Sequence, residues 1–473
     1  MSTVVRAAVD LGASSGRVLV GRLERDRIDL AEVARFPTAP RRRTTGPSGP
    51  GLFWDFDALL GHIRRGLDEA ARQHSDLASV GIDSWAVDYG LLRQGELIDD
   101  PFCYRDERCQ RGVDWVHQRV GFEQLHARNG LQFLPFTTVY QLGAESPPGR
   151  GADALLLVPD LVTHALTGHL ATERTNASTT GLLDPRTGDW DTDLMAALGI
   201  PRALFTGLVD AGDERGHTRV GHRDLPVLTT ASHDTAAAIL ATPMDPERSA
   251  YASLGTWGLV GVELEHPVLS EAARRANFTN EGGVAGTTRF LRNVMGTWLL
   301  SEVLREWGRE DDLVDLLAAA AAQPAPRSLV DVDDPAFLAP DDMATRLTAW
   351  LREHDQPVPE SAAGVVRLVV ESTAAAQAAA VHRAGELTGR RVEQVHVVGG
   401  GSRSELLCQL LADHSGLTVL AGPVEATGIG NLLGQSGMTT RDDVERARSL
   451  VSASTRVRVH QPGGSVDDAQ YRR

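Results

Sequence analysis

An apolar strand, a glycine turn rich in hydroxyls and a returning apolar strand occur twice in this chain. The first copy runs over residues 4–20, with the turn DLGASSG at 10–16. The second is YASLGTWGLVG at 251–261, just past the midpoint. Short glycine turns are common, so the match is brief, but two such hairpins at matching places are an internal-repeat signal. Between them, residues 241–249 (ATPMDPERS) carry two prolines and mixed charges and mark a boundary. A length of 473 residues suits two large domains or two to three of ordinary size. We divide the chain into residues 1–243 and 244–473.

Composition then narrows the chemistry. All 47 basic residues are arginine. Without lysine there is no Schiff base, so covalent pyridoxal chemistry is out. There is also no GxxxxGK[ST] phosphate loop and no protein-kinase strand lysine. Any phosphate must be held by backbone amides, hydroxyls, arginine and metal. A GC-rich genome, with its high alanine and glycine, accounts for the missing lysine without a functional cause. The formal charge of −16 argues against a nucleic-acid partner. The run Arg41, Arg42, Arg43 reads as a solvated loop. Three cysteines with no CxxC spacing fit a reducing cytoplasm. Asp10 inside the first apolar stretch argues against a signal peptide, and no apolar run approaches the ~18 residues that would cross a bilayer.

Periodicity places the rest. Residues 59–74 read as a helix with Leu59, Leu60, Ile63 and Leu67 on one face. Residues 79–92 read as strand with a break near Trp85, 144–151 as a loop, and 155–168 as a buried helix beginning after Pro159. Residues 313–322 are a Leu/Ala helix, and 331–342 an acidic surface loop. A long alanine-rich helix over 361–388 feeds a strand at 395–398, three glycines and another helix.

Five segments carry polar chemistry. In residues 10–17, backbone N–H groups and two hydroxyls can hold phosphate oxygens, Gly12 and Gly16 allow close approach, and Asp10 can hold a magnesium-bound water. An ordinary hairpin with a polar turn fits the same residues. In 395–416, Gly399, Gly400 and Gly401 precede a helix, with Ser402 and Glu405 spaced as a capping box. This is either an anion- or nucleotide-edge turn or a tight connection, and the GxGxxG fingerprint is broken. In 225–239, a strand ends in His233-Asp234-Thr235 before an alanine-rich helix. Asp234 or Thr235 is the N-cap, or Asp234 is a general base at a strand–helix junction. In 276–300, residues 280–283 read as a turn, and Asn293 offers a polyol both donor and acceptor. In 83–88, Asp83 and Asp88 flank Trp85, as suits sugar stacking, or Trp85 is core.

Taken together and in this order, these segments resemble the FGGY family of carbohydrate kinases. The carrying runs are AVDLGASSGR (8–17), GIDSWAVDYGLL (81–92), NGLQFLPFTTVYQL (129–142), ASHDTAAA (231–238), SLGTWGL (253–259), FTNEGGVAG (278–286), RNVMGTWLL (292–300), VHVVGGG (395–401) and AGPVEATGIGN (421–431). The resemblance implies an α/β chain of two actin-like, hexokinase-like ATPase domains, each with a duplicated ribonuclease H-like core. Sugar would lie mainly on 1–243 and nucleotide on 244–473, with the active site in the cleft between. ATP and Mg2+ are the implied cofactors, a small ketose the acceptor, and a monomer or homodimer the implied state. Ala13, Ser14, Ser15, Gly16 and Arg17 match the first phosphate turn, Thr256 the second, and Gly400 with Gly401 the adenosine-side turn. His233, Asp234 and Thr235 match the sugar and base segment, with Asp234 the proton acceptor, and Asn293 matches a sugar contact. Two positions depart from the branch it most resembles. Ala86 replaces a glycine at a sugar-contact position, and Ser301 replaces a glutamine on the nucleotide side.

Overall fold

The computed structural model describes residues 3–327, 329–338, 341–463 and 466–470, the last five by backbone alone. By packing, the chain forms two compact units that are discontinuous in sequence. One comprises Met1–Pro243, Glu263–Phe290 and Ala426–Ser454, the other Met244–Val262, Leu291–Glu425 and Thr455–Arg473.

The sheet of the first unit runs, edge to edge, Ile28–Pro37, Ser15–Leu23, Val4–Leu11, Leu77–Ser84, Arg223–Leu228, Glu214–Val220. The hairpin Val4–Leu11/Ser15–Leu23 is antiparallel, and Val4–Leu11 then pairs in parallel with Leu77–Ser84, which pairs in parallel with Arg223–Leu228. Central parallel strands are covered on both faces and so read as nearly continuous apolar runs. Val4–Leu11 does so, with Ala7, Ala8, Val9 and Leu11 all fully buried. The helix Phe56–Gln73 supplies part of that cover through Leu59, Ile63, Leu67 and Ala70. It starts before the expected residue 59 because Asp55 caps it, its carboxylate accepting from Ala58 N at 3.1 Å.

The second unit repeats this order with its own residues. Trp257–Leu264, Ser249–Leu254, Gln394–Val398, Thr418–Ala421 and Arg456–His460 follow one another across the sheet. Their pairings are again antiparallel, parallel, parallel, antiparallel. The short hairpin repeat noticed in the sequence is therefore one corner of a duplicated sheet. The long helix Ala362–Thr388 stands before Gln394–Val398 as Phe56–Gln73 stands before Leu77–Ser84.

Several local expectations need correction. Residues 155–168 are not one helix: Ala154–Leu157 is a strand, and the helix is Val158–Thr167. Residues 280–283 are not a turn, since Thr279–Gly282 is extended. The capping box at Ser402 is absent. A 3-10 turn occupies Gly400–Arg403, and Ser404 is the cap, accepting from Leu407 N at 3.3 Å. The segment 331–342 is not merely surface, because Val332 and Phe337 are fully buried. Among the described residues one helix, Ala362–Thr388, is long and apolar enough to cross a membrane, contrary to expectation, but 67% of its apolar window is buried within the protein.

The helix Ala426–Gly434 packs in the first unit against Asp234–Leu240, and glycine sets the approach. A Cβ on Gly430 would lie 1.8 Å from the Ala237 carbonyl oxygen. Backbone would have to move, which costs about 1–3 kcal/mol in a well-packed core. Gly430→Ala is expected to lower stability in urea unfolding by that amount. Gly207→Ala, where a Cβ meets nothing within 4 Å, is expected to leave it unchanged.

Candidate active site

The parallel register of the first unit sets its polar centre. Asp10 pairs with Asp83, Leu11 with Ser84, and Ser84 in turn bridges in parallel to His233. Three adjacent chain segments thus bring Asp10, Asp83 and His233-Asp234 to their carboxyl ends, where ligands of open α/β sheets bind. Ser84 N donates to Ser232 O at 2.9 Å, which ties the third segment to the second.

Like charges crowd here. Asp83 is fully buried, and its Oδ2 accepts from Asn431 Nδ2 at 2.6 Å. Burial, then the charge of Asp10, pushes its carboxyl well above the ordinary range. Asp10 is buried and ion-paired with Arg17. Asp234 is the first residue of the helix Asp234–Leu240 and His233 is the N-cap, so neither Asp234 nor Thr235 is the cap. The Asp234 Oδ1 accepts from Thr235 N at 2.5 Å and from Thr235 Oγ1 at 3.1 Å. Exclusion of water, then the charge of Asp10, pushes its carboxyl up to about 7. With 32% of its side-chain surface accessible, water softens that shift and leaves its direction.

The turn after Asp10 is tight. Gly12 N donates to Ser15 O at 3.1 Å, and Thr38 Oγ1 donates to Gly12 O at 2.6 Å. Ser14 is exposed, while Ala13, Ser15 and Arg17 are half-buried. Gly16 is required by packing, since a Cβ there would lie 2.3 Å from the Phe36 ring. Carboxylate and hydroxyl oxygens, such as those of Asp10 and the turn after it, are the donor type that hard cations take. Among the described residues no group of three side chains forms a ready metal cage.

The Asp83–Asp88 segment resolves differently at its two ends. Trp85 is core, 4.3 Å from Trp54. Asp88 is a structural hub, accepting from Trp54 Nε1 (2.6 Å), Trp85 Nε1 (3.1 Å), Tyr104 N (3.1 Å) and Gln141 Nε2 (2.8 Å). Ala86 is half-buried beside Val87, which adopts φ 68°, a costly value for a β-branched residue. The Val87 carbonyl is held by Thr138 Oγ1 at 2.7 Å and Gln141 Nε2 at 3.3 Å.

The remaining candidates lie in the second unit. Thr256 is half-buried in the hairpin turn, where Thr297 N donates to Gly255 O at 3.0 Å. Gly401 is buried and would place a Cβ 2.5 Å from Leu254, whereas a Cβ on exposed Gly400 meets nothing within 4 Å. Gly400 thus offers open backbone and Gly401 serves packing. Asn293 is half-buried in the strand Thr288–Met295, and Ser301 is exposed on the helix Trp298–Trp307.

Sequence reasoning missed three first-unit groups: Asn431, Glu281 as a charge partner, and Arg289. Arg289 is fully buried, with Nη2 2.9 Å from His233 Nδ1 and 3.1 Å from Glu281 Oε2. An arginine inside the apolar strand TRFLRNVM was the available signal.

Comparison with known proteins gives the family and the fold. The FGGY family of carbohydrate kinases matches by its N-terminal domain over residues 6–241 and by its C-terminal domain over 250–436. Among solved structures, a ligand-bound xylulose kinase from Lactobacillus acidophilus superposes with a TM-score of 0.74 at 15% identity, covering 97% of this chain and 94% of that one. A gluconate kinase from the same organism gives 0.74 at 16% identity, with 98% and 94% covered. A Plasmodium falciparum glycerol kinase with ADP gives 0.72 at 13%, with 97% and 94% covered. At such identities the likeness is one of fold: mixed α/β, two-domain, with actin-like ATPase architecture.

The raised Asp234 carboxyl makes a stability prediction. Its folded-state pKa exceeds the ordinary 3.8, so the cost of ionising it grows as pH rises above that value and levels off above about 7. Asp234→Asn is expected to melt higher than wild type at about pH 8, with a smaller gap near pH 4.5. Equal gaps in thermal melts at both values would contradict the shift.

Proposed function

Because this chain belongs to the FGGY family of carbohydrate kinases, we propose that it is a rhamnulokinase, transferring the γ-phosphoryl group of ATP to the C1 hydroxyl of L-rhamnulose in L-rhamnose catabolism. The observation that carries the chemistry is Asp234. It is a partly accessible carboxylate at the first residue of a helix, with a proton affinity raised toward neutrality. The sugar assignment rests on the runs QFLPF, YQL and AGPVEA, which resemble kinases of L-rhamnulose more than the wider family.

Asp234 takes the proton from the C1 hydroxyl, and the oxygen attacks the γ-phosphorus in line as the bond to ADP breaks. His233, Thr235, Ala86 and Asn293 contact the sugar. The N–H groups and hydroxyls of Ala13, Ser14, Ser15 and Gly16, with Arg17 and Thr256, hold phosphate charge without any lysine. Gly400, Gly401 and Ser301 lie on the nucleotide side. Asp10 would hold magnesium, and the ion would supply positive charge to the phosphate oxygens. We assign sugar mainly to residues 1–243, nucleotide mainly to 244–473, and the enzyme to the cytoplasm, with neither nucleic acid nor membrane as partner and as a monomer or homodimer.

Ala86 and Ser301 motivate a second reading, a sibling kinase for L-fuculose, L-xylulose or another ketose. A non-catalytic nucleotide-binding protein of the same fold is disfavoured because Asp10, Asp234 and Thr256 are all present.

Asp234→Asn is expected to lower kcat by about 10²–10⁴-fold while calorimetric binding of sugar and ATP persists. The wild-type kcat/KM should fall on the acid side of about pH 7, as the base protonates. Near-normal turnover in the variant excludes Asp234 as base. A coupled ADP-release assay over a ketose panel should rank L-rhamnulose first by kcat/KM. A clear preference for another ketose would replace the substrate and leave the kinase reading in place.

A further inference from the structure

The His233 ring is enclosed, and each of its nitrogens faces charged partners. Nδ1 lies 2.9 Å from Arg289 Nη2 and 3.5 Å from Glu281 Oε2. Nε2 lies 3.3 Å from Asp234 Oδ1. A guanidinium has donors only and keeps its charge at any working pH. In the 2.9 Å contact, therefore, Nδ1 accepts. Burial, then the Arg289 charge, keeps the ring's pKa well below that of an ordinary histidine, so the ring is neutral with a single proton. That proton sits on Nε2, the nitrogen 3.3 Å from Asp234 Oδ1.

Arg289 is itself secured. It is 0% exposed, its Nε donates to Gly282 O at 3.0 Å, and its Nη2 lies 3.1 Å from Glu281 Oε2. A buried ion pair alone adds little stability over apolar packing. This pair has a second effect, because the nitrogen beside Glu281 also reaches the imidazole. The opposite tautomer would set N–H against N–H at Arg289 and turn a lone pair toward the Asp234 carboxylate.

We propose that Arg289, held by Glu281 and the Gly282 carbonyl, is a positioning residue that fixes His233 as the Nε2–H tautomer and so orients the Asp234 carboxylate for proton abstraction. This rests on the reading of Asp234 as the base. The Thr235 N–H and the Thr235 hydroxyl donate to Asp234 Oδ1, and His233 Nε2 lies 3.3 Å from the same oxygen. Oδ2 is the oxygen that takes the sugar proton. An imidazole whose tautomer is set by the group behind it is a known way to hold a proton-transfer site in register.

The wild-type enzyme tests the first step by itself. Long-range proton–nitrogen correlation on isotope-labelled histidine rings, with His233→Gln identifying the resonance, should show a neutral His233 with Nε2 protonated and Nδ1 bare at about pH 7.5. In Arg289→Met, Nδ1 should gain a proton, either by tautomer exchange or by ionisation beside Glu281. Arg289→Lys, which keeps a charged donor, should leave Nδ1 bare. Arg289→Met should also lower kcat at least about tenfold with KM for ATP within about twofold, and Arg289→Lys should recover most of the loss. A proton on Nδ1 in the wild type overturns the proposal. So does a bare Nδ1 in Arg289→Met, or a shifted tautomer with unchanged kcat. If Arg289→Met does not fold, the wild-type and Arg289→Lys spectra decide. Normal turnover in Asp234→Asn alongside an Nε2–H ring in the wild type would remove the base assignment and the orienting role, leaving the tautomer lock as a structural fact.

Discussion

The register between Val4–Leu11 and Leu77–Ser84, extended by the bridge from Ser84 to His233, is the constraint on which the rest of the site depends. Parallel pairing places successive carboxyl ends level, so the polar residues closing three apolar segments meet at one edge. A slip of one residue would reverse every side chain and bury Asp10 in the apolar layer. The crowding of Asp10, Asp83 and Asp234 follows from this register. The raised proton affinities of Asp83 and Asp234 follow first from exclusion of water and then from that crowding.

Several buried carboxylates of the first unit are paired with arginine. Arg215 with Asp160 (3.1 Å), Arg108 with Glu145 (3.5 Å), Arg448 with Glu263 (2.7 Å) and Arg289 with Glu281 (3.1 Å) all lie inside. A guanidinium can serve several acceptors in one plane and does not lose its proton when desolvated. The lysine-free composition therefore has a structural correlate, whatever its genomic origin. These interior cations are permanent, and one of them can dictate a histidine tautomer.

The secondary structure was largely legible. The hairpins, the helix after Asp55 and the long helix before Gln394–Val398 all follow from periodicity and caps. Errors arose where a polar residue serves a partner distant in sequence. Asp88 looks like a sugar ligand beside Trp85, yet two indoles, a backbone amide and Gln141 take up its oxygens. The acidic segment at 331–342 looks solvated, yet Asp333 accepts from Arg292 Nη2 and from Met295 N at 3.0 and 2.9 Å. Arg289 carried little signal, because a charged residue in an apolar strand does not announce which group it faces.

The sequence by itself determined the repeated hairpin, the lysine-free means of holding phosphate and the strand-to-helix junction that carries Asp234. These are local matters of periodicity, turn chemistry and side-chain type. Tertiary structure decided the association of residues 263–290 and 426–454 with the first unit, the retirement of Asp88 to the core and the alignment of His233 between Arg289 and Asp234. Each of these is a contact between segments far apart in the chain, and a hydrogen bond leaves no periodic trace in a sequence until the fold has closed the distance.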